Sequence, residues 1–295
     1  MAHINEIKLR MKSIKETRQI TRAMKFISAA KLKRARNQLE HTIPYFEKVK
    51  SIMADILLHS GKVDSIFFDV RAERECKKKA FLVITGDKGF AGGYNHNIIK
   101  FVEEHIENKK DVLLFVAGNV GKYYFAKNQY DVYMEFDYPV QNPTIYRARE
   151  IAELIMKLFS EGVFDEMYIA FTNMLSSVNS KPEIMKLLPL DYNALKQNLN
   201  IKEELDEDPE DILDYEPDPQ TVFDLLVRKY LKGIIYGAFV EAFTSEQSAR
   251  MIAMDNATSN ADEMLRKLEL AYNRARQAKI TQEISEIVGG AEVIR

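Results

Sequence analysis

From Ala238 to Val288 the chain contains neither Gly nor Pro, and within that stretch small and apolar residues return on a seven-residue repeat. Ala257, Ala261, Met264, Leu268, Ala271, Ala275 and Ala278 step by four and three alternately, the spacing of a coiled-coil seam. About 50 uninterrupted residues at 1.5 Å each make a helix of roughly 75 Å. Alanine along such a seam lets a partner backbone come close. The spacing therefore predicts a thin, stiff helical pair.

The partner stands at the other end of the chain. Ala2 to Ile43 again lacks Gly and Pro, and Ile4, Ile7, Met11 and Ile14 follow the same step. The stripe resumes at Ile20, Met24 and Ile27 after a six-residue step, so the seam is expected to drift around this helix. Two long terminal helices predict an antiparallel coiled coil of residues 1–60 with 210–295, holding an inserted domain over 75–200. Lys8, Arg10, Lys12, Lys15, Arg18, Arg22, Lys25, Lys31, Lys33, Arg34 and Arg36 face only Glu6 and Glu16 in the stretch 6–36.

Between the helices the pattern changes to strand–helix alternation. Ala80–Thr85 is an apolar run ending in the Gly-rich turn Gly86–Gly93, followed by a helix over Asn95–Asn108 and a strand at Val112–Val116. A third helix–strand unit covers Lys122–Phe136, and Pro143–Phe159 reads as a helix with Pro near its first turn. Met167–Thr172 is a fourth strand and Glu183–Pro189 a candidate fifth. Parallel strands joined by helices predict a small, Rossmann-like α/β layer structure.

The net charge of −2 conceals segregation, because residues 203–218 hold ten acidic side chains against the basic amino-terminal helix. That acidic segment, with Pro209, Pro217 and Pro219, is expected to be a solvated loop leading into the last helix. The longest apolar runs, Ala80–Ile84 and Val112–Ala117, fall far short of the roughly 18 residues that cross a bilayer. No secretory signal is expected, and the Arg-rich start, although presequence-like, belongs to the mature fold through its apolar stripe. The single cysteine, Cys76, excludes an internal disulfide and fits a reducing compartment.

Neither Gly-rich turn has phosphate-cradle spacing. Gly86-Asp87-Lys88-Gly89 is not GxGxxG, and Gly118-Asn119-Val120-Gly121-Lys122 is not GxxxxGK[ST], so both read as tight strand-to-helix turns. The five histidines show no metal-ligand spacing, and no Ser/His/Asp arrangement stands out. The expectation is a chain with no catalytic residues, no cofactor and no metal.

The terminal helices resemble the gamma subunit of F-type ATP synthase, in its bacterial form without the chloroplast cysteine-pair insert. The resemblance rests on Ile20-Thr21-Arg22-Ala23-Met24-Lys25 with Ser28-Ala29-Ala30-Lys31-Leu32, and on Ser245-Glu246-Gln247-Ser248-Ala249-Arg250-Met251-Ile252-Ala253-Met254. It continues through Tyr272–Ala278 and Ile280–Ala291, and in the middle through Asp87, Gly89 and Gly92-Gly93-Tyr94-Asn95. Ala91 stands where many relatives carry cysteine, and the tail Glu292-Val293-Ile294-Arg295 departs from the small-residue ending of the family.

The resemblance implies a rotor shaft inside a ring of alternating alpha and beta subunits, with epsilon and the membrane c-ring at its foot. It would be a peripheral protein on the cytoplasmic face of the bacterial inner membrane. It would couple ion flow through the c-ring to ATP synthesis or hydrolysis, with the chemistry performed by the beta subunits. By the same resemblance Arg276 and Gln277 meet a beta-subunit loop, with Thr281 and Glu283 one to two turns on. The resemblance also implies that Met24, Lys25 and Arg250 would lie near the level where the shaft leaves the ring. The alternative reading of the basic helix is a coiled coil that binds nucleic acid. Against it, only Phe26 interleaves the cations. A second rival, an enzyme built on the α/β insert, is weakened by the missing phosphate motif.

Overall fold

A computed structural model describes residues 2–59, 63–68, 78–136, 140–176, 179–192, 195 and 215–293. Cys76 and the acidic residues 203–214 lie outside that set. The chain divides into two compact units, Met1–Ala30 with Arg250–Arg295, and Lys31–Ala249. The long helices α1, Ala2–His59, and α5, Pro219–Val293, each contribute to both.

The second unit contains a five-stranded sheet: β1 Lys79–Ile84, β2 Val112–Ala117, β3 Val132–Phe136, β4 Glu166–Met174 and β5 Ser180–Leu188, in the order β3-β2-β1-β4-β5. The helices α2 (Tyr94–Glu104), α3 (Asn119–Lys127) and α4 (Ile145–Ser160) make the crossovers. β1 to β4 are parallel, as expected. β5 is not: it runs antiparallel to β4. Residues 175–179 are too few for a helical crossover, which takes a dozen or more, so the chain can only fold back as a hairpin. Pro182 is tolerated in β5 because an edge strand need not donate every N–H. Pro143 stands just ahead of α4, whose first turn follows the N-cap Thr144.

Sheet alternation sorts the core into two layers. Phe81, Val83, Leu114 and Val116 pack against Ile98, Ile99 and Val102 of α2 and Phe125 of α3. Ala80, Leu82, Ile84, Leu113 and Phe115 face the other way, onto α4 and onto the α1 and α5 segments of this unit. Both faces of β1 and β2 are therefore covered, which is why these strands read as unbroken apolar runs. Within the same unit α1 packs on α5 so closely that a Cβ on Gly233 would lie 2.2 Å from the Phe46 ring.

The second glycine turn is occupied by the chain itself. The Thr85 hydroxyl donates to the Ala117 carbonyl at 3.0 Å and accepts from the Gly121 N–H at 3.0 Å. The Val120 N–H goes to the Gly86 carbonyl at 3.1 Å, and the Asn119 N–H points to the Asp87 carboxylate at 3.4 Å. The first-turn donors of α3, which in a phosphate cradle would face an anion, already have partners. The expected reading of a tight turn holds.

Glu241 of α5 meets the end of β4, where the Met174 N–H donates to its carboxylate at 3.3 Å. Burial pushes the Glu241 carboxyl above its ordinary range, opposed by the Met174 N–H and by Arg36 and reinforced by Glu183. A carboxyl raised on folding weakens the fold once ionised. Stability is expected to fall as pH rises from the ordinary value of 4.5 through the raised one. Glu241→Gln is expected to raise the melting temperature at neutral pH and to flatten that decline. Thermal denaturation at pH 5 and pH 7.5 measures it, and equal melting temperatures at neutral pH would contradict the assignment.

Candidate partner-binding surface of the paired helices

In the first unit α1 and α5 run antiparallel in one register. Lys8 lies over the Tyr272 ring at 5.6 Å, Arg18 pairs with Asp262 at 2.7 Å, Thr21 with Thr258 at 2.8 Å and Lys25 with Asp255 at 2.6 Å. Each pair of residue numbers sums to 279 or 280, which is possible only for opposed helices without slip.

The seam differs from expectation on both helices. On α1 it follows Ile7, Met11, Ile14, Arg18, Thr21, Lys25 and Ser28, all buried or half-buried in one fixed heptad register. Ile20 and Ile27 are not part of it; they are 61% and 56% exposed. At about 100° per residue Ile20 lies roughly 120° round from Ile14. Burying it would require turning the helix away from Ile7 and Met11. The helix instead keeps its face and buries polar side chains that satisfy one another, as Thr21 and Thr258 do.

On α5, Ala261, Leu268 and Ala275 lie on the seam as expected, and Ala257 is half-buried beside it. Met264, Ala271 and Ala278 are exposed, their places taken by Leu265, Tyr272 and Lys279. The two candidate faces differ by one position in every second step. The chosen one buries the larger Leu265 and Tyr272 and brings Asp255 and Asp262 onto Lys25 and Arg18. Ala275→Leu is therefore expected to overpack the pair and cost about 1–3 kcal/mol, whereas Ala271→Leu stays within about 0.5 kcal/mol of the parent. Denaturant unfolding of both variants measures this, and equal costs would refute the register.

The ion pairs are more than a third exposed on at least one side, so each contributes about 1 kcal/mol or less. Their larger effect is on specificity. A slip of one heptad would leave a cation or a carboxylate facing an apolar residue, so polar seam positions fix register and direction. The sequence carried a signal for this layer: Arg18 and Lys25 are seven residues apart, as are Asp255 and Asp262.

The structure sorts the residues assigned to partner contact into three groups. Arg276, Gln277, Thr281 and Glu283 are exposed on α5, with Glu283 held by Lys279 at 3.3 Å. Met24 is half-buried and Lys25 is engaged with Asp255. Arg250 is buried, at 8% exposure. By the pairing register, Ala2, the first residue of α1, falls opposite positions 277 and 278 of α5. Residues 281–287 are exposed throughout, and Ile280, Ile284 and Ile287 form an apolar row on them. On α1, Leu9, Ile20 and Ile27 share an outward face that the sequence pattern had assigned in part to the seam. A contiguous apolar row left exposed on a helix is a candidate interaction surface.

An ATP synthase family model matches residues 3–294, nearly the whole chain. The chain is 65% identical over 295 residues to the ATP synthase gamma chain of Acetivibrio thermocellus, covering 100% of both proteins. It belongs to the ATP synthase gamma-chain family. The gamma chain of Ruminiclostridium cellulolyticum is 58% identical, with 99% of each chain covered. The sodium-ion-specific gamma chain of Acetobacterium woodii is 41% identical, again with 99% of each covered. In fold the chain is similar to one from the Euglena gracilis mitochondrial ATP synthase, with a TM-score of 0.70, 19% identity, and 99% and 95% coverage. Among the described residues of this gamma-family chain, no helix is long and apolar enough to cross a membrane.

Proposed function

We propose that this chain is the central rotor shaft of an F-type ATP synthase. It turns inside the alpha/beta hexamer, holds epsilon and the c-ring, and couples ion flow through that ring to ATP synthesis or hydrolysis. The observation that carries the reading is an antiparallel helical pair of fixed register that carries exposed apolar rows, Ile280, Ile284 and Ile287 on one helix and Ile20 and Ile27 on the other, in a chain of the gamma family. A shaft meeting a ring of subunits needs outward side chains on a stiff core. Ile20, Ile27, Arg276, Gln277, Thr281 and Glu283 supply the first, and the uninterrupted paired helices supply the second.

On this reading the chain has no catalytic site of its own, needs no cofactor or metal, and acts by biasing open and closed states of its neighbours. It sits peripherally on the cytoplasmic face of the bacterial inner membrane. Arg250, being buried, contributes to partner contact by shaping the helix pair. The nucleic-acid alternative is set aside, because Arg18 and Lys25 are committed to Asp262 and Asp255 within the coil.

The test is purification of the tagged chain from solubilised membranes. Co-elution of alpha, beta, epsilon and c subunits is expected, with ATP-driven uptake of protons or sodium ions that disappears from complexes lacking this chain. Recovery of the chain free of those subunits, or bound to nucleic acid through a salt titration, would contradict the reading.

A further inference from the structure

In an open α/β sheet the crevice for a ligand lies beyond the carboxyl ends of the strands, where successive crossovers leave in opposite directions. Here that point falls between β1 and β4. From β1 the chain crosses to β2 and β3 on one side, then α4 carries it back to β4 on the other. The crevice is already filled by this chain's own α5.

Ser245 donates its hydroxyl to the Thr172 carbonyl at the end of β4, at 3.0 Å. One turn earlier Glu241 accepts from the Met174 N–H of the same strand end. Glu246 reaches the end of β1. A Cβ placed on Gly86 would lie 3.0 Å from its Oε1, so the glycine leaves the room that this carboxylate occupies. The floor of the crevice is rigid, because the Asn95 side chain accepts from the Gly86 N–H at 2.7 Å and donates to the Lys88 carbonyl at 3.4 Å.

Thr244, Ser245, Glu246, Gln247 and Ser248 are each 4% exposed or less. Five consecutive polar residues buried on every face of a helix are costly in an ordinary core. An apolar helix face would hold a static sheet at least as well. Polar side chains aimed at strand-end backbone groups give direction as well as adhesion, since a hydrogen bond resists sliding and rotation in a way that apolar contact does not.

We propose that the α5 segment Glu241–Ser248, seated in the β1/β4 crevice, is the joint that makes the α/β domain turn with the helix pair. The inference rests on the rotor reading above. Torque passing between the helices and a partner gripped through the α/β domain crosses the interface that α1 and α5 make with the sheet, and this joint is its directional, hydrogen-bonded part beside the apolar contact. A loosened joint lets the helices turn under a lagging domain, so ATP is hydrolysed without a matching ion movement.

The test uses the assembled complex in inverted membranes. Gly86→Ala wedges the joint from the sheet side and Ser245→Ala releases it from the helix side. Glu246→Gln changes the carboxylate while keeping its shape. Ala152→Gly weakens the same domain within α4, outside the crevice contacts. Subunit content by gel, ATP hydrolysis and ATP-driven ion uptake are measured together. The expected result is that the joint variants assemble and hydrolyse ATP at close to the parental rate. Their ratio of ion uptake to hydrolysis falls several-fold, while Ala152→Gly keeps the parental ratio. An unchanged ratio in Gly86→Ala and Ser245→Ala would overturn the proposal, as would an equal fall in Ala152→Gly. Coupled uptake by a complex lacking this chain altogether would overturn the rotor reading itself and the joint with it, a result distinct from an unchanged ratio.

Discussion

Gly118→Ala is expected to unfold the α/β region at temperatures where the parent is intact. Gly118 holds φ at +95°, a conformation that L side chains rarely adopt, and an added Cβ would lie 2.2 Å from the Thr85 carbonyl oxygen and 2.7 Å from the Thr85 hydroxyl. The carbonyl belongs to the backbone at the end of β1, and the Thr85 N–H is itself bonded to the Ala117 carbonyl at 2.8 Å. Neither neighbour can give way without parting β1 from β2. Backbone strain of this kind costs about 1–3 kcal/mol before the clash is counted, and losing the buried Thr85 hydrogen bonds adds a further ~1–3 kcal/mol. Against a typical domain stability of about 5–15 kcal/mol that is a large fraction. Thermal denaturation followed by circular dichroism measures it, and a melting temperature within a degree or two of the parent would show that the turn relaxes freely.

Replacing both Arg276→Ala and Gln277→Leu is expected to lower coupled turnover strongly while leaving the helix pair folded. Both side chains are exposed, and neither lies on the observed seam of Leu268, Tyr272, Ala275 and Lys279. Ala and Leu are good helix formers, so exposed positions accept them with little change in stability. On the rotor reading proposed above, what is lost is a set of donors that an asymmetric rod would present to each beta subunit only at certain angles. Interactions made in some rotational states and not in others alter the barriers between those states, as differential binding alters a reaction barrier. ATP hydrolysis, ATP synthesis and melting temperature are measured on the same membranes. Full coupled activity in the double variant would place the rotor contact elsewhere, and the outward row of Ile20 and Ile27 would be the next surface to substitute.

Much of the architecture is legible in the sequence. Two long helices without Gly or Pro, unbroken apolar strands and glycines at strand ends depend on short-range rules: helix propensity, the alternation of a strand, the need for a tight turn. The parallel strands β1 to β4 followed from the same patterns. β5 was legible as a strand, yet its antiparallel direction depended on the length of the connection before it.

The helical seam was legible only in outline. Two phases of a seven-residue repeat, one through Met264 and Ala271 and one through Leu265 and Tyr272, coexist on α5, and periodicity alone does not choose between them. The choice belongs to the pairing, because burying Leu265 and Tyr272 also delivers Asp255 and Asp262 to Lys25 and Arg18. On α1 a rule that counts only apolar residues passes over Arg18, Thr21 and Ser28. Arg18 and Thr21 become seam residues because each finds its complement, Asp262 and Thr258, across the interface, and the small Ser28 is buried beside them.

Family membership was written in the residues themselves, above all in the long carboxy-terminal motif and the paired helices, since those side chains specify both a seam and an outward face. Tertiary structure alone decided which of them are free to meet a partner. Arg250, alike in type to Arg276, is buried, and the polar run Thr244–Ser248, which on a lone helix would be solvated, is enclosed at the carboxyl edge of the sheet. Exposure is a property of what packs around a residue, and for these positions the packing elements lie far away in the sequence, so local pattern carried no trace of it.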